Sequence, residues 1–150
     1  MLKSQWQDRI HHQIPITKAM GVCIEQLDCK EILVSAPLAN NINLHNTAFA
    51  GSIYTLGIVA GWTLISAYLE QAKIKAKVVA SEANIKYMKP INSNLLAQCL
   101  FTDSAPITQW QPDLSKDRRA IKQELIVDIR NQELIAAQLS ATFYIKPLPE

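Results

Sequence analysis

A handful of polar side chains in this chain are placed where they could do chemistry. Asn43 can both donate and accept, so it could orient a water or a carbonyl, or close an Asx-turn in its own loop. His45, two residues on, has the side chain best suited to proton transfer near neutral pH, though loops also carry histidines that do nothing catalytic. Ser52 is a weak nucleophile unless a base stands beside it, and no such base is evident; capping or helix packing is the plainer role. Glu82 could serve as a general base supplied from a strand, or simply be a solvated or subunit-interface carboxylate. Ser81 beside it has the same two readings. His11 and His12 sit on an amphipathic N-terminal stretch without partners at ligand spacing and read as surface residues. Nothing resembles a zinc cluster, and neither a metal nor a cofactor is implied.

These residues are held by a chain of 150 amino acids, 49% hydrophobic and 19% charged, with a formal net charge of +2. That length suits one domain, and the composition supports a real core rather than disorder. The charge is too small and too scattered for a nucleic-acid partner. Cys23, Cys29 and Cys99 form no C-x-x-C pair. An odd, widely spaced set reads as reduced thiols, small buried hydrophobes of a cytoplasmic protein. Met1 to Gln13 lacks the apolar run of a secretory signal.

Residues 35–69 contain no Asp, Glu, Lys or Arg, and Ala48 to Leu69 is long enough to span a bilayer. Gly57 and Gly61 even have the small-xxx-small spacing of membrane helices. The segment also carries Ser52, Tyr54, Thr55, Thr63 and Ser66, and strand-like alternation flanks it on both sides. It therefore reads as the buried centre of a folded domain, not a membrane span, with the two glycines letting it lie close to a sheet.

The elements around that helix follow from periodicity. Residues 3–13 predict a short helix with Trp6 and Ile10 on one face, ended by Pro15. Residues 22–27 and 31–38 predict a hairpin, closed by Pro37. An Asn-rich loop leads to Thr47, a candidate N-cap for a helix over 48–72. Residues 77–88 alternate Val79, Ser81, Ala83, Ile85 and Tyr87 against Val78, Ala80, Glu82, Asn84 and Lys86. Residues 95–102 put Leu95, Ala97, Cys99 and Phe101 on one face. Residues 104–119 form an irregular excursion. Residues 121–130 and 133–145 are the last strands, with Leu125, Val127 and Ile129, then Ile135 to Ile145 at alternate positions, facing inward. One fully apolar helix needs a surface that wraps it, which a strongly curved antiparallel sheet supplies. The expected fold is α+β: residues 1–150 as a single domain, with a helix over 1–14, a core over 15–146 and a tail over 147–150.

The helix start carries a motif. Asn41, Asn43, Thr47, Phe49, Gly51, Ser52 and Tyr54, with Gly61-Trp62 further on, resemble the N-x-N-x-x-G-T-x-F-x-G-S-x-Y pattern of the thioesterase-like domain at the C-terminus of YiiD-type acetyltransferases. Asn46 stands for the motif glycine, and Asn also tolerates left-handed backbone angles. Ile85-Lys-Tyr87-Met-Lys-Pro90 matches the Tyr-x-x-Pro strand end of many hotdog thioesterases. The resemblance covers residues 15–146 and implies a hotdog fold, with the thioesterase-like domain standing alone.

The resemblance also implies a site. Thioester hydrolysis develops negative charge on the carbonyl oxygen, and the unpaired amides at a helix N-terminus can receive it. By position these are Ala50 and Gly51, with Asn43 and Glu82 as further catalytic candidates and Phe49, Ser52, Ser81 and Tyr87 contacting substrate. In the phenylacetyl-CoA type of hotdog enzyme the loop reads N-x-x-G-x-x-H-G-G. On that pattern Asn43 is retained, Phe49 replaces the His, and Ile58 stands where a helix carboxylate is found. Lys116, Arg118 and Arg119 could meet the phosphates of coenzyme A or of an acyl-carrier phosphopantetheine, or form a solvated turn. Trp110 could close over an acyl chain or anchor its loop. The implied activity is hydrolysis of acyl-CoA or acyl-carrier thioesters by a homodimer or dimer of dimers. Binding without turnover is the alternative, and a hydratase built on His45 a third.

Overall fold

The computed structural model describes residues 3–102 and 106–149, the side chains of 106–108 excepted. Helices α1 (Lys3–Gln13) and α2 (Pro15–Met20) lead into β1 (Cys23–Leu27) and β2 (Glu31–Ala36). Helix α3 (Ala50–Gln71) follows, then β3 (Ala76–Tyr87), β4 (Leu95–Leu100), α4 (Pro106–Gln111), β5 (Ile121–Asn131) and β6 (Leu134–Pro147). All strands join one antiparallel sheet in the order β1-β2-β4-β5-β6-β3. With one long helix against one face of this curved sheet, the architecture is the hotdog fold.

Alternation decides which face meets α3. Val34, Ala97, Leu125, Val127, Leu139 and Phe143 are all buried. Sealing a side chain such as Phe143 is worth about 1.5–3 kcal/mol. Gly57 and Gly61 bring the helix backbone onto that surface. A Cβ on Gly57 would lie 2.8 Å from Leu139 Cδ2, and one on Gly61 2.9 Å from Phe143 Cε2. By length and composition α3 could cross a membrane, but most of it is buried here, as a core helix is. Its uncovered stripe recurs every four residues: Ala50, Tyr54, Ile58, Trp62, Ser66 and Glu70 are each half-buried or exposed.

Several expectations need correcting. Pro15 does not merely end a helix; it occupies the first turn of α2, where its missing N–H costs nothing. His11 is no free surface residue: its Nε2 lies 2.7 Å from the carbonyl of Val22, the residue before β1, docking α1 there. Cys99 is buried, but Cys23 and Cys29 are exposed. The strand over 77–88 does not keep one phase. A bulge between Ala80 and Glu82 leaves Ser81 unpaired, so Val79 is exposed while Ala83 and Ile85 pack inward. Likewise Ile135 is exposed, because a register shift at Ile129/Arg130 opposes Ala137 to Ile129. The 104–119 excursion, beyond the undescribed 103–105, contains α4. There Trp110 is buried edge-to-face against Tyr68 and Phe101, anchoring the segment.

Candidate active site

The loop before α3 is built as a small closed hairpin. Phe49 N–H donates to the Asn41 carbonyl (2.7 Å), Asn43 N–H to Thr47 (2.8 Å), and Ile42 bridges Ala48. Asn41 is buried and ties the loop down by donating from Nδ2 to the Met20 and Pro37 carbonyls. Asn46 adopts φ 63°, the left-handed turn its side chain tolerates in place of glycine. Asn43 is the hub. Its Oδ1 accepts from the His45 and Thr47 amides (2.8 and 3.1 Å), and its Nδ2 donates to Thr47 Oγ1 (3.0 Å). These bonds are an Asx-turn, so the Asn43 side chain holds the loop's shape. They also occupy Thr47, which is therefore not the N-cap. Phe49 takes that position, without a side-chain cap.

The consequence lies at the helix start. Ile53 N–H makes the first helical bond, to the Phe49 carbonyl. The amides of Ala50, Gly51 and Ser52 have no hydrogen-bond partner among the described residues. They stand at the positive end of a 22-residue helix. Gly51 is glycine for a local reason: a Cβ there would lie 2.5 Å from Phe49 Cε1. Tyr87 donates from its hydroxyl to the Ala50 carbonyl (2.9 Å), tying the end of β3 to the first turn. Burial, then the nearby Tyr54, pushes the Tyr87 hydroxyl above its ordinary pKa, so it stays protonated for that bond. Ser52 is half-buried and makes no side-chain hydrogen bond among the described residues.

Two depressions open in succession along the uncovered stripe of α3. The first, about 290 Å³, is walled by Asn43, Ala48, Ala50, Ile53, Tyr87 and the segment Met88 to Ile91. The second, about 370 Å³, is lined by Tyr54, Ile58, Ala80, Ser81, Glu82 and Ala83. One helical turn, about 5.4 Å, separates them along the axis. Glu82 thus lines the same depression as Ile58. No hydrogen bond joins Glu82 to the helix start among the described residues. Ser81 donates its hydroxyl to the Thr142 carbonyl (3.1 Å), which stabilises the bulge.

The remaining candidates lie elsewhere. His45 is exposed, with only its backbone engaged. Arg118 is bound to the Leu148 carbonyl and Arg119 to Asp117, while Lys116 is exposed, so the three form a solvated turn rather than one converging anion site. Sequence reasoning missed Lys89 and Ile91, which line the first depression. Their only signal was their place beside the Tyr-x-x-Pro strand end.

A protein from Shewanella oneidensis described as a "putative thioesterase" matches this structure with a TM-score of 0.84, at 28% identity over 97% of each chain. One from Pseudomonas aeruginosa, described as of unknown function and a "probable thioesterase", has TM-score 0.86 at 16% identity, covering 99% and 97%. A Haemophilus influenzae thioesterase has TM-score 0.78 at 16% identity, covering 100% and 94%; at such identities the likeness of these two shows the fold alone. A family model described as "Putative thioesterase (yiiD_Cterm)" matches residues 3–147, so this chain belongs to the YiiD C-terminal thioesterase family.

Proposed function

We propose that the protein hydrolyses acyl-CoA or acyl-carrier thioesters at the start of α3. The observation that carries this is the set of three amides without partners among the described residues, at Ala50, Gly51 and Ser52, of which Ala50 lines a depression. Amides fixed there receive the carbonyl oxygen as it becomes an oxyanion, with no reorganisation at the moment of reaction. Asn43 acts as a positioning residue that presents the amides. Glu82 takes a proton from water; the resulting hydroxide adds to the thioester carbon. Collapse of the tetrahedral intermediate breaks the C–S bond, and the leaving thiolate takes the proton back from the Glu82 carboxyl. Tyr87 and Ser81 contact substrate from the first and second depressions, and Phe49 and Ser52 from the helix start. The place of Glu82 beside Ile58 supports this role, since the strand then supplies the carboxylate that helix position 58 lacks.

The long edge of β3, with exposed Val79, invites pairing with a second copy of the chain. We infer a homodimer joined there, sedimenting at twice the chain mass of 16.8 kDa. The three unpaired thiols support a cytoplasmic setting.

The test is thiol release from a panel of acyl-CoA and acyl-carrier substrates. Glu82→Gln is expected to lower kcat about 10²-fold or more with little loss of stability, because Glu82 is exposed. No hydrolysis of any substrate above background would sink the proposal. Ile58, and the full engagement of Asn43 within its loop, favour the second reading, acyl-thioester binding without turnover. That reading predicts binding heat without thiol release, and it fails if Glu82→Gln abolishes a measurable rate.

A further inference from the structure

A second concave site lies away from the helix start. A groove of about 680 Å³ lies between α1, the second half of α3 and the beginning of β3. Ser66, in its wall, is 16 residues beyond Ala50, or about 24 Å along the helix axis. The floor is apolar and aromatic: Trp6, Trp62, Leu69, Ile74 and Val78. It is rigidly built. Trp6 meets Trp62 edge-to-face at 6.3 Å, and Trp62 Nε1 donates to the Val78 carbonyl (3.0 Å). The rim is cationic, with Arg9, Lys73, Lys75 and Lys77. Among the described residues Glu70 is the one carboxylate in the lining, and Arg9 pairs with it. Lys73, Lys75 and Lys77 make no ion pair among the described residues. Ser66 Oγ is buried without a hydrogen-bond partner among them.

We propose that this groove binds a single-chain amphipathic anion, an aliphatic carboxylate whose chain lies on the tryptophan floor and whose head meets the lysine rim. The volume falls within the range of small-molecule sites, and the lining has their usual character of apolar walls with few polar groups. Charge complementarity selects the head group: three ammonium groups without an ion pair among the described residues reject a cation and give a neutral head no advantage. The lysines keep their heads in water while their stems extend the apolar wall, so the groove suits a ligand with one wet end. The inference does not rest on the hydrolytic reading, because the groove shares no lining residue with the helix-start depression.

The probes are decanoate, decanol and 11-bromoundecanoate, with the full chain. Decanoate binding is expected to weaken at least tenfold in Lys75→Glu/Lys77→Glu, whose sites are exposed, while decanol changes less than twofold. Bromoundecanoate should quench Trp6 and Trp62 but leave the emission of a Trp6→Phe/Trp62→Phe variant, which retains only Trp110, unaltered. Wild-type decanoate affinity in the charge-reversed variant would overturn the proposal. So would equal quenching of Trp110, or binding to anionic vesicles without binding to monomeric decanoate.

Discussion

Gly51→Ala separates the role of the helix start in stability from its role in chemistry. In the wild type the Phe49 ring lies against Gly51. The added methyl would sit 2.5 Å from Cε1, 3.0 Å from Cζ and 3.3 Å from Cδ1. All three are ring atoms of a side chain that is 55% exposed, so the ring can swing toward solvent. Leaving its present rotamer costs about 0.5–1.5 kcal/mol. The lost ring contact adds less than the roughly 1.5–3 kcal/mol of a fully buried side chain, because half the ring is already wet. Against this, Ala is about 1 kcal/mol better than Gly inside a helix. The opposing terms nearly cancel, and urea unfolding should place the variant within about 1 kcal/mol of wild type. Activity should not cancel. The methyl stands beside two of the three free amides and moves the ring that now lies against them. We expect kcat/KM for thiol release to fall at least about tenfold, toward the 10²–10³-fold lost when one oxyanion donor is removed. Phe49→Ala/Gly51→Ala then tells ring from methyl: recovery of rate assigns the loss to the swung ring, and no recovery assigns it to the methyl. A Gly51→Ala variant with wild-type stability and wild-type kcat/KM would refute placement of the chemistry at these amides. Destabilisation beyond about 2 kcal/mol would instead refute the packing argument.

Gly61→Ala should behave in the opposite way, losing about 1–3 kcal/mol in urea unfolding despite better helix propensity, since its methyl meets the buried Phe143 ring at 2.9 Å. Burial, and secondarily Asp128, pushes the Cys99 thiol up to about 12, so at pH 8 a thiol reagent should label exposed Cys29 first, Cys23 more slowly because burial and then Glu25 raise its thiol, and Cys99 only after unfolding. The Lys30 amide, foremost, holds Asp28 below the ordinary carboxylate range, and the Arg9 hydrogen bond does the same for Glu70. Both folded pKa values lie below the unfolded ones. The stability they contribute is therefore present above about pH 4 and lost as pH falls through the depressed values, and Glu70→Gln should flatten the acid limb of a stability–pH curve.

Periodicity made most of the fold legible because the core is one surface. An uncharged run of helical length admits few partners, and the alternation of 95–101, 125–129 and 137–145 identifies the face that covers it. What escaped was wherever a local bond overrode the period. A period-two reading assigns Val79 and Ile85 to one face, and only the unpaired Ser81 between them, its hydroxyl on the Thr142 carbonyl, puts them out of phase. Thr47 looks like an N-cap by residue type, but Asn43, four residues earlier, claims both its amide and its hydroxyl. The same holds at the site. The motif located the helix start through Gly51 and Tyr54 and left Asn43 open between a substrate role and the Asx-turn it forms, but it could not say that Tyr87 binds the Ala50 carbonyl. The Tyr87 contact joins residues 37 positions apart, a separation no local pattern encodes. It also bears on the chemistry. With Asn43 and Tyr87 both engaged by the backbone around the free amides, the rigid part of the site is, on the proposed reading, the acceptor of negative charge. The proton-moving part that we propose for Glu82 would then come from the bulged edge strand, where a re-aimed backbone can bring a carboxylate beside a helix position that lacks one.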